Sequence, residues 1–149
     1  MSWVPLSDED RRLVLETLDA YAERYNAKDV DGVTSLFARD ADVALFGTGA
    51  DELWVGYEDV RRQFARNFAE ADVVQFEWTW RHVSGTETSA WAATTANVHV
   101  TVGRARRTIP IRFSVALERR DGDWKWVHRH ASVAAGGQGA GVAYPVSDE

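Results

Sequence analysis

The chain reads as an α+β domain, helices in its first half and long antiparallel strands in its second, with the helices covering one face of a curved sheet. Three observations predict this. Apolar residues recur at helical spacing as far as about Ala71. From Val74 onward they alternate with polar residues, the period of a half-buried strand. Asp121-Gly122 then separates two alternating runs, a strong short-range signal for a hairpin.

The elements follow in order. Ser7 caps a first helix, with Asp10 placed to reach back as in a capping box and an acidic first turn suited to the positive dipole end. Val14, Leu18, Tyr21 and Tyr25 fall on one stripe, so both tyrosines face inward. Asn26 to Asp29 breaks that helix, and Asp29 caps a shorter one carrying Val30, Val33, Leu36 and Phe37. Asp40 to Gly47 is a short strand, Thr48 to Glu52 a loop, and Leu53-Trp54-Val55 a brief extended piece. A third helix, about Tyr57 to Ala71, buries Val60, Phe64, Phe68 and Ala71. Val74, Phe76, Trp78, Trp80 and His82 then share one strand face. From Ala90 to Val102 either face could be the inner one, and Thr108 to Arg119 is the strand before the hairpin. Residues 1–133 form one domain; 134–149, rich in Ala and Gly and without periodicity, read as a flexible tail.

Composition narrows the function classes. One domain of 149 residues is long enough to bury about 70% of its unfolded surface. With no Cys, disulfides, thiolate catalysis and Cys-based metal sites are excluded. A net charge of −6 argues against a phosphate-backbone partner, and Arg104 to Arg107 reads as an exposed hairpin end. With no signal-peptide pattern and no long apolar run, no membrane association is expected and a cytoplasmic location is.

The last strand carries the chemistry. Trp124, Trp126, His128, His130 and Ser132 alternate onto one face, a mixture that suits the wall of a partly polar pocket. A two-residue hairpin loop pairs Leu117 with Trp126, Val115 with His128, Phe113 with His130 and Ile111 with Ser132. The histidines are then embedded in an apolar surface, and Arg112 points to the other side unless a bulge intervenes. His128 or His130 as proton exchanger and Tyr21 as oxyanion donor make a catalytic set for acid–base chemistry. Trp54, Trp126, Trp78, Phe46 and Tyr25 are expected to line the ligand site, with Arg112 as partner to a carboxylate. A metal site on His128 and His130, with His99 or an acid as third ligand, is a weaker alternative, and no metal or other cofactor is expected.

The stretch Tyr25-Asn26-Ala27-Lys28-Asp29 followed by Leu36-Phe37-Ala38, the Gly47-Thr48-Gly49 to Trp54-Val55-Gly56 segment and the closing Trp124-x-Trp126-Val127-His128-Arg129-His130-Ala131-Ser132 resemble the SnoaL-like branch of the nuclear transport factor 2-like superfamily. The resemblance spans roughly residues 7–133. It implies a cone-shaped fold with three N-terminal helices, a mainly antiparallel sheet and a pocket between them, and a homodimer through the outer sheet face. It fixes no single activity: members include isomerases, cyclases, dehydratases and hydrolases as well as non-catalytic assembly domains. Ketosteroid isomerases place a Tyr where this chain has Tyr21, but their basic Asp falls on Leu45 and their second, protonated Asp near Ser114. The expected function is therefore small-molecule binding with acid–base catalysis of another kind, or ligand binding and assembly without chemistry.

Overall fold

A computed structural model describes residues 4–40 and 42–145. Ala41 of the expected first strand and the last four residues of the expected tail lie outside the described residues. Helix α1 spans Asp8–Asn26, and Ser7 Oγ accepts from the Asp10 amide at 3.0 Å. The Asp10 carboxylate does not close a capping box; it pairs with Arg119 and accepts from Trp124 Nε1 at 3.3 Å, tying the helix start to the far end of the sheet. Helix α2, Val30–Thr34, is capped by Asp29, whose carboxylate accepts from the Gly32 amide at 2.9 Å. Helix α3, Tyr57–Glu70, buries Val60, Gln63, Phe64 and Phe68.

Six strands follow or interleave: β1 (Ala44–Phe46), β2 (Leu53–Val55), β3 (Val73–Gly85), β4 (Ser89–Val102), β5 (Ala105–Arg120) and β6 (Asp123–Ser132). Their order is β2-β1-β6-β5-β4-β3, antiparallel throughout except that β1 runs parallel to β6. The ambiguous strand is settled by its neighbours. Ala90, Ala92, Thr94 and Ala96 of β4 face the core while Trp91 is exposed. These small residues let rings from the two flanking strands meet above them: Phe113 of β5 lies 5.6 Å from Phe76 and 5.2 Å from Trp78 of β3. A large residue in the middle strand would hold those rings apart.

Two single-residue bulges bend the sheet and change which side chains face inward. In β3 the register shifts between Trp78 and Trp80, leaving Thr79 unpaired. Trp78 remains inside, whereas Trp80 and His82 stack on each other on the outer face, contrary to the unbroken alternation expected there. In β6 the hairpin begins as expected: Asp121 and Gly122 both have positive φ, as a two-residue primed turn requires, and Leu117 pairs with Trp126. Val127 is then the extra residue, so Ala116 pairs with His128, Val115 with Arg129 and Ser114 with His130. The bulge sits where β6 changes partner on its other edge. Trp126 exchanges hydrogen bonds with Leu36 and Ala38, at 2.8 and 2.9 Å, and β1 takes over from His128.

Trp126, with none of its surface exposed, is the centre of the core. Its indole stacks on Tyr21 at 4.9 Å between centroids, meets Phe37 edge-on at 5.4 Å, and donates from Nε1 to Thr17 Oγ1 at 2.9 Å. Residues 133–145 form turns without helix or strand. Replacing Trp126→Ala should cost about 3–5 kcal/mol, the range for emptying a buried aromatic site. Urea denaturation checks this, and a loss below about 1 kcal/mol would show that Trp126 is not the core residue described.

Candidate functional site

A cavity of about 260 Å³ lies between the helices and the sheet. The sheet side is apolar, with Phe76, Val98, Val100, Ile109, Ile111 and Phe113. The helix side is polar, with Tyr21 and Tyr25 from α1, Gln63 and Asn67 from α3, and Thr48 and Glu52 from the loop after β1. Arg129 of β6 completes the wall.

Arg129 is the residue that the β6 bulge turns inward. It sits between Leu45 of β1 and Val115 of β5 and is 6% exposed. The guanidinium lies over the faces of Phe113, at 5.2 Å, and Phe64, at 5.9 Å. Its Nε and Nη2 meet no hydrogen-bond acceptor among the described residues. Contact with aromatic faces recovers about 0.5–2 kcal/mol, whereas removing a charge from water costs several. The guanidinium, on a residue that lines the cavity, is therefore left with buried donors that the described residues do not satisfy.

The phenols beside it are held neutral. Burial pushes the Tyr21 hydroxyl well above the usual phenol range, against a smaller downward pull from Arg129. Burial raises Tyr25 as well, opposed by Arg129 and reinforced by the Glu52 charge. Both remain hydrogen-bond donors at neutral pH rather than phenolates.

The same cavity is lined by a carboxylate with a built seat. Glu52 Oε2 accepts from Gln63 Nε2 at 3.2 Å, and Oε1 lies 3.4 Å from Arg66 Nη2. Arg66 also holds Asp51 at 3.0 Å, and that hydrogen bond lowers the Asp51 carboxyl below its usual range. The seat requires glycine at 47: a Cβ there would fall 1.8 Å from Glu52 Oε2 and 2.8 Å from Gln63 Nε2. Gln63 is 1% exposed, and its Oε1 meets no donor among the described residues.

Of the residues expected to form the site, Tyr21 and Tyr25 line the cavity. His128 and His130 do not. The Val127 bulge turns them to the outer face, where His128 Nδ1 lies 3.0 Å from the Ala44 carbonyl oxygen and His130 packs 5.1 Å from Phe46. Phe46, 41% exposed, shares that face, as does exposed Arg112; the one-residue shift brought Arg129 inward rather than Arg112. Trp126 lies in the core and Trp78, partly buried, packs against it and donates to the Leu18 carbonyl at 2.9 Å; neither lines the cavity. Trp54 is half-buried beneath Arg66, whose guanidinium is 5.3 Å from its ring. The isomerase positions are equally unsuited: Leu45 is buried apolar surface and Ser114 is exposed. No three His, Asp or Glu side chains converge as a metal-ligand set among the described residues.

Sequence reasoning missed Arg129, Gln63, Asn67 and Glu52. A signal existed for two of them: Gln63 and Asn67 stand three and seven residues after Val60, on the same helical stripe as the apolar residues.

Three helices on a curved six-stranded sheet, with a cavity between, define an α+β domain. Residues 14–136 match the model of the SnoaL-like domain, and the chain belongs to that family, within the nuclear transport factor 2-like superfamily. Among similar solved structures is a candidate dehydratase of the nuclear transport factor 2-like family from Streptomyces avermitilis, 25% identical over 85% of this chain and 97% of that one, with a TM-score of 0.78. A candidate calcium/calmodulin-dependent protein kinase II association domain from Xanthomonas campestris is 20% identical over 91% and 94%, with a TM-score of 0.75. A nuclear transport factor 2-like protein of unknown function from Pseudomonas putida is 15% identical over 97% and 98%, with a TM-score of 0.78. No protein of curated function matches the chain.

An unpaired buried charge opposes folding, so Arg129→Met should leave stability unchanged or raise it by about 1–3 kcal/mol. Urea denaturation of the ligand-free variant checks the sign. A loss of more than about 1 kcal/mol would mean that Arg129 is satisfied within the fold and is not a ligand group.

Proposed function

We propose that the chain binds a small organic acid, its carboxylate on Arg129 and its apolar body against Val98, Val100, Ile109 and Ile111. The observation that carries this is the Arg129 guanidinium, nearly fully buried in the cavity wall with Nε and Nη2 unpaired. Planar guanidinium and planar carboxylate match in two parallel hydrogen bonds, and such a pair is strongest away from water. Neutral Tyr21 and Tyr25 supply further donors to the same group. The cavity is below the usual range of about 300–1,000 Å³ for drug-sized ligands, so the acid is a small one.

Acid–base chemistry on the bound acid is the second reading, favoured by Glu52 in the same cavity. A seated carboxylate in the same cavity as a guanidinium can accept a proton from a carbon or hydroxyl of a substrate anchored on that guanidinium. Isomerisation, cyclisation, dehydration and hydrolysis all use such a step, and the similarity to a candidate dehydratase supports the class. The histidines take no part in it.

The outer sheet face, with Trp80 56% and Trp91 48% exposed on β3 and β4, is proposed as a homodimer surface. Exposed indoles of this number on one face are uncommon on a monomer surface.

Titration calorimetry with 3-phenylpropanoate should give a saturable isotherm for the protein and at least about a tenfold weaker one for Arg129→Met. Equal affinities would remove the acid reading. Light scattering should give twice the chain mass for the parent protein and a monomer for the Trp80→Asp, Trp91→Asp double variant. A monomeric parent at micromolar concentration would remove the dimer.

A further inference from the structure

A second residue lining the cavity, Gln63, carries a buried polar atom without a partner, of opposite character to the Arg129 donors. Gln63 Oε1 is an acceptor on a side chain 1% exposed, and no donor among the described residues reaches it. Its direction is not free. Glu52 is an acceptor only, so the Gln63 amide must present its NH₂ to that carboxylate, at 3.2 Å, and its oxygen the other way. Glu52 is itself fixed, by Arg66 at 3.4 Å and by the absence of a side chain at Gly47. The chain Arg66–Glu52–Gln63 thus holds one carbonyl oxygen in a buried orientation at a cavity wall, which is how a site is built to receive a donor.

We propose that the acid held by Arg129 also carries a hydroxyl group, and that Gln63 Oε1 is the acceptor that reads it. This rests on the acid-binding reading and narrows its ligand to the hydroxy acids. A neutral hydroxyl fits better than an ammonium. The atom presented is an amide oxygen, and the Glu52 carboxylate is already engaged by Gln63 and Arg66. An acid without a donor leaves Gln63 Oε1 desolvated and unpaired, so the site discriminates against it. Gln63 is a specificity residue in this account, and Glu52 and Gly47 position it.

The test compares acids matched in shape: 3-phenylpropanoate, 3-phenyllactate, phenylalanine and 3-(4-hydroxyphenyl)propanoate, by titration calorimetry on the full chain. One of the two hydroxylated acids should bind about tenfold more tightly than 3-phenylpropanoate. In Gln63→Leu that ratio should fall to within about twofold, with affinity for 3-phenylpropanoate kept. Glu52→Gln leaves Gln63 in place but lets its amide turn over, so it too should erase much of the preference. It serves as the second reading should Gln63→Leu fold poorly. Equal binding of hydroxylated and parent acids, with Arg129→Met still losing both, would overturn this inference and leave the acid pocket standing. So would a preference untouched by Gln63→Leu and by Glu52→Gln, or tighter binding of phenylalanine than of either hydroxylated acid. Binding of none of the four, or binding indifferent to Arg129→Met, would overturn the pocket reading itself.

Discussion

One extra residue in the last strand decides what the cavity can do. A strand's side chains alternate with a period of two, so a single bulge exchanges the faces of everything beyond it. Val127 is that residue. Before it, Trp126 faces inward and anchors the core; after it, Arg129 and Ala131 face inward and His128 and His130 face out. The constraint that creates the bulge lies across the strand edge. The backbone of Leu36 to Ala38 holds Trp126, while β1 aligns in parallel from His128. Two partners with different registers meet at one strand, and the mismatch is absorbed in a single residue.

That exchange divides the interior into two regions with opposite energetics. Around Trp126, aromatic rings and a satisfied indole N–H gain from burial with nothing left unpaired. Around Arg129, a guanidinium and an amide oxygen are buried without partners. A domain of this size is stable by only about 5–15 kcal/mol in total, so two such groups are a substantial fraction of the margin. The rings of Phe64 and Phe113 soften the cost of the charge without cancelling it. Groups of this kind persist when a function outside the fold satisfies them.

Most of the fold was legible in the sequence because its determinants are local. Ser7, Asp29 and the apolar stripes marked the helices, and Asp121-Gly122 fixed the hairpin and its first pairings, Leu117 with Trp126 among them. The site was not legible, for the complementary reason. The bulges at Thr79 and Val127 arise from how neighbouring strands meet, which no window of sequence contains. Once the bulge is missed, His-x-His reads as pocket and the arginine between the histidines reads as surface. Trp80 and His82 went astray by the same mechanism, on the edge strand β3. Gln63 and Asn67 were recoverable, since polar residues on an otherwise buried helical stripe are the informative exception. Glu52 was not, because its seat depends on Gly47, Gln63 and Arg66 meeting in three dimensions.

On the proposed reading, the two unpaired groups would make so small a cavity selective. Apolar contact alone distinguishes ligands weakly, by about 1–3 kcal/mol per methylene, and tolerates added polar atoms. Buried polar groups reverse that: a ligand is rejected by what it fails to satisfy as much as it is held by what it touches. A donor set and an acceptor on the walls of one cavity of about 260 Å³ demand a ligand with a matching acceptor and donor on a short frame. Neither demand comes from the apolar wall, which Val98, Val100, Ile109 and Ile111 present to any hydrocarbon of suitable size. On the proposed acid-binding reading, the sheet would supply affinity and the β6 bulge, with α3, the selection.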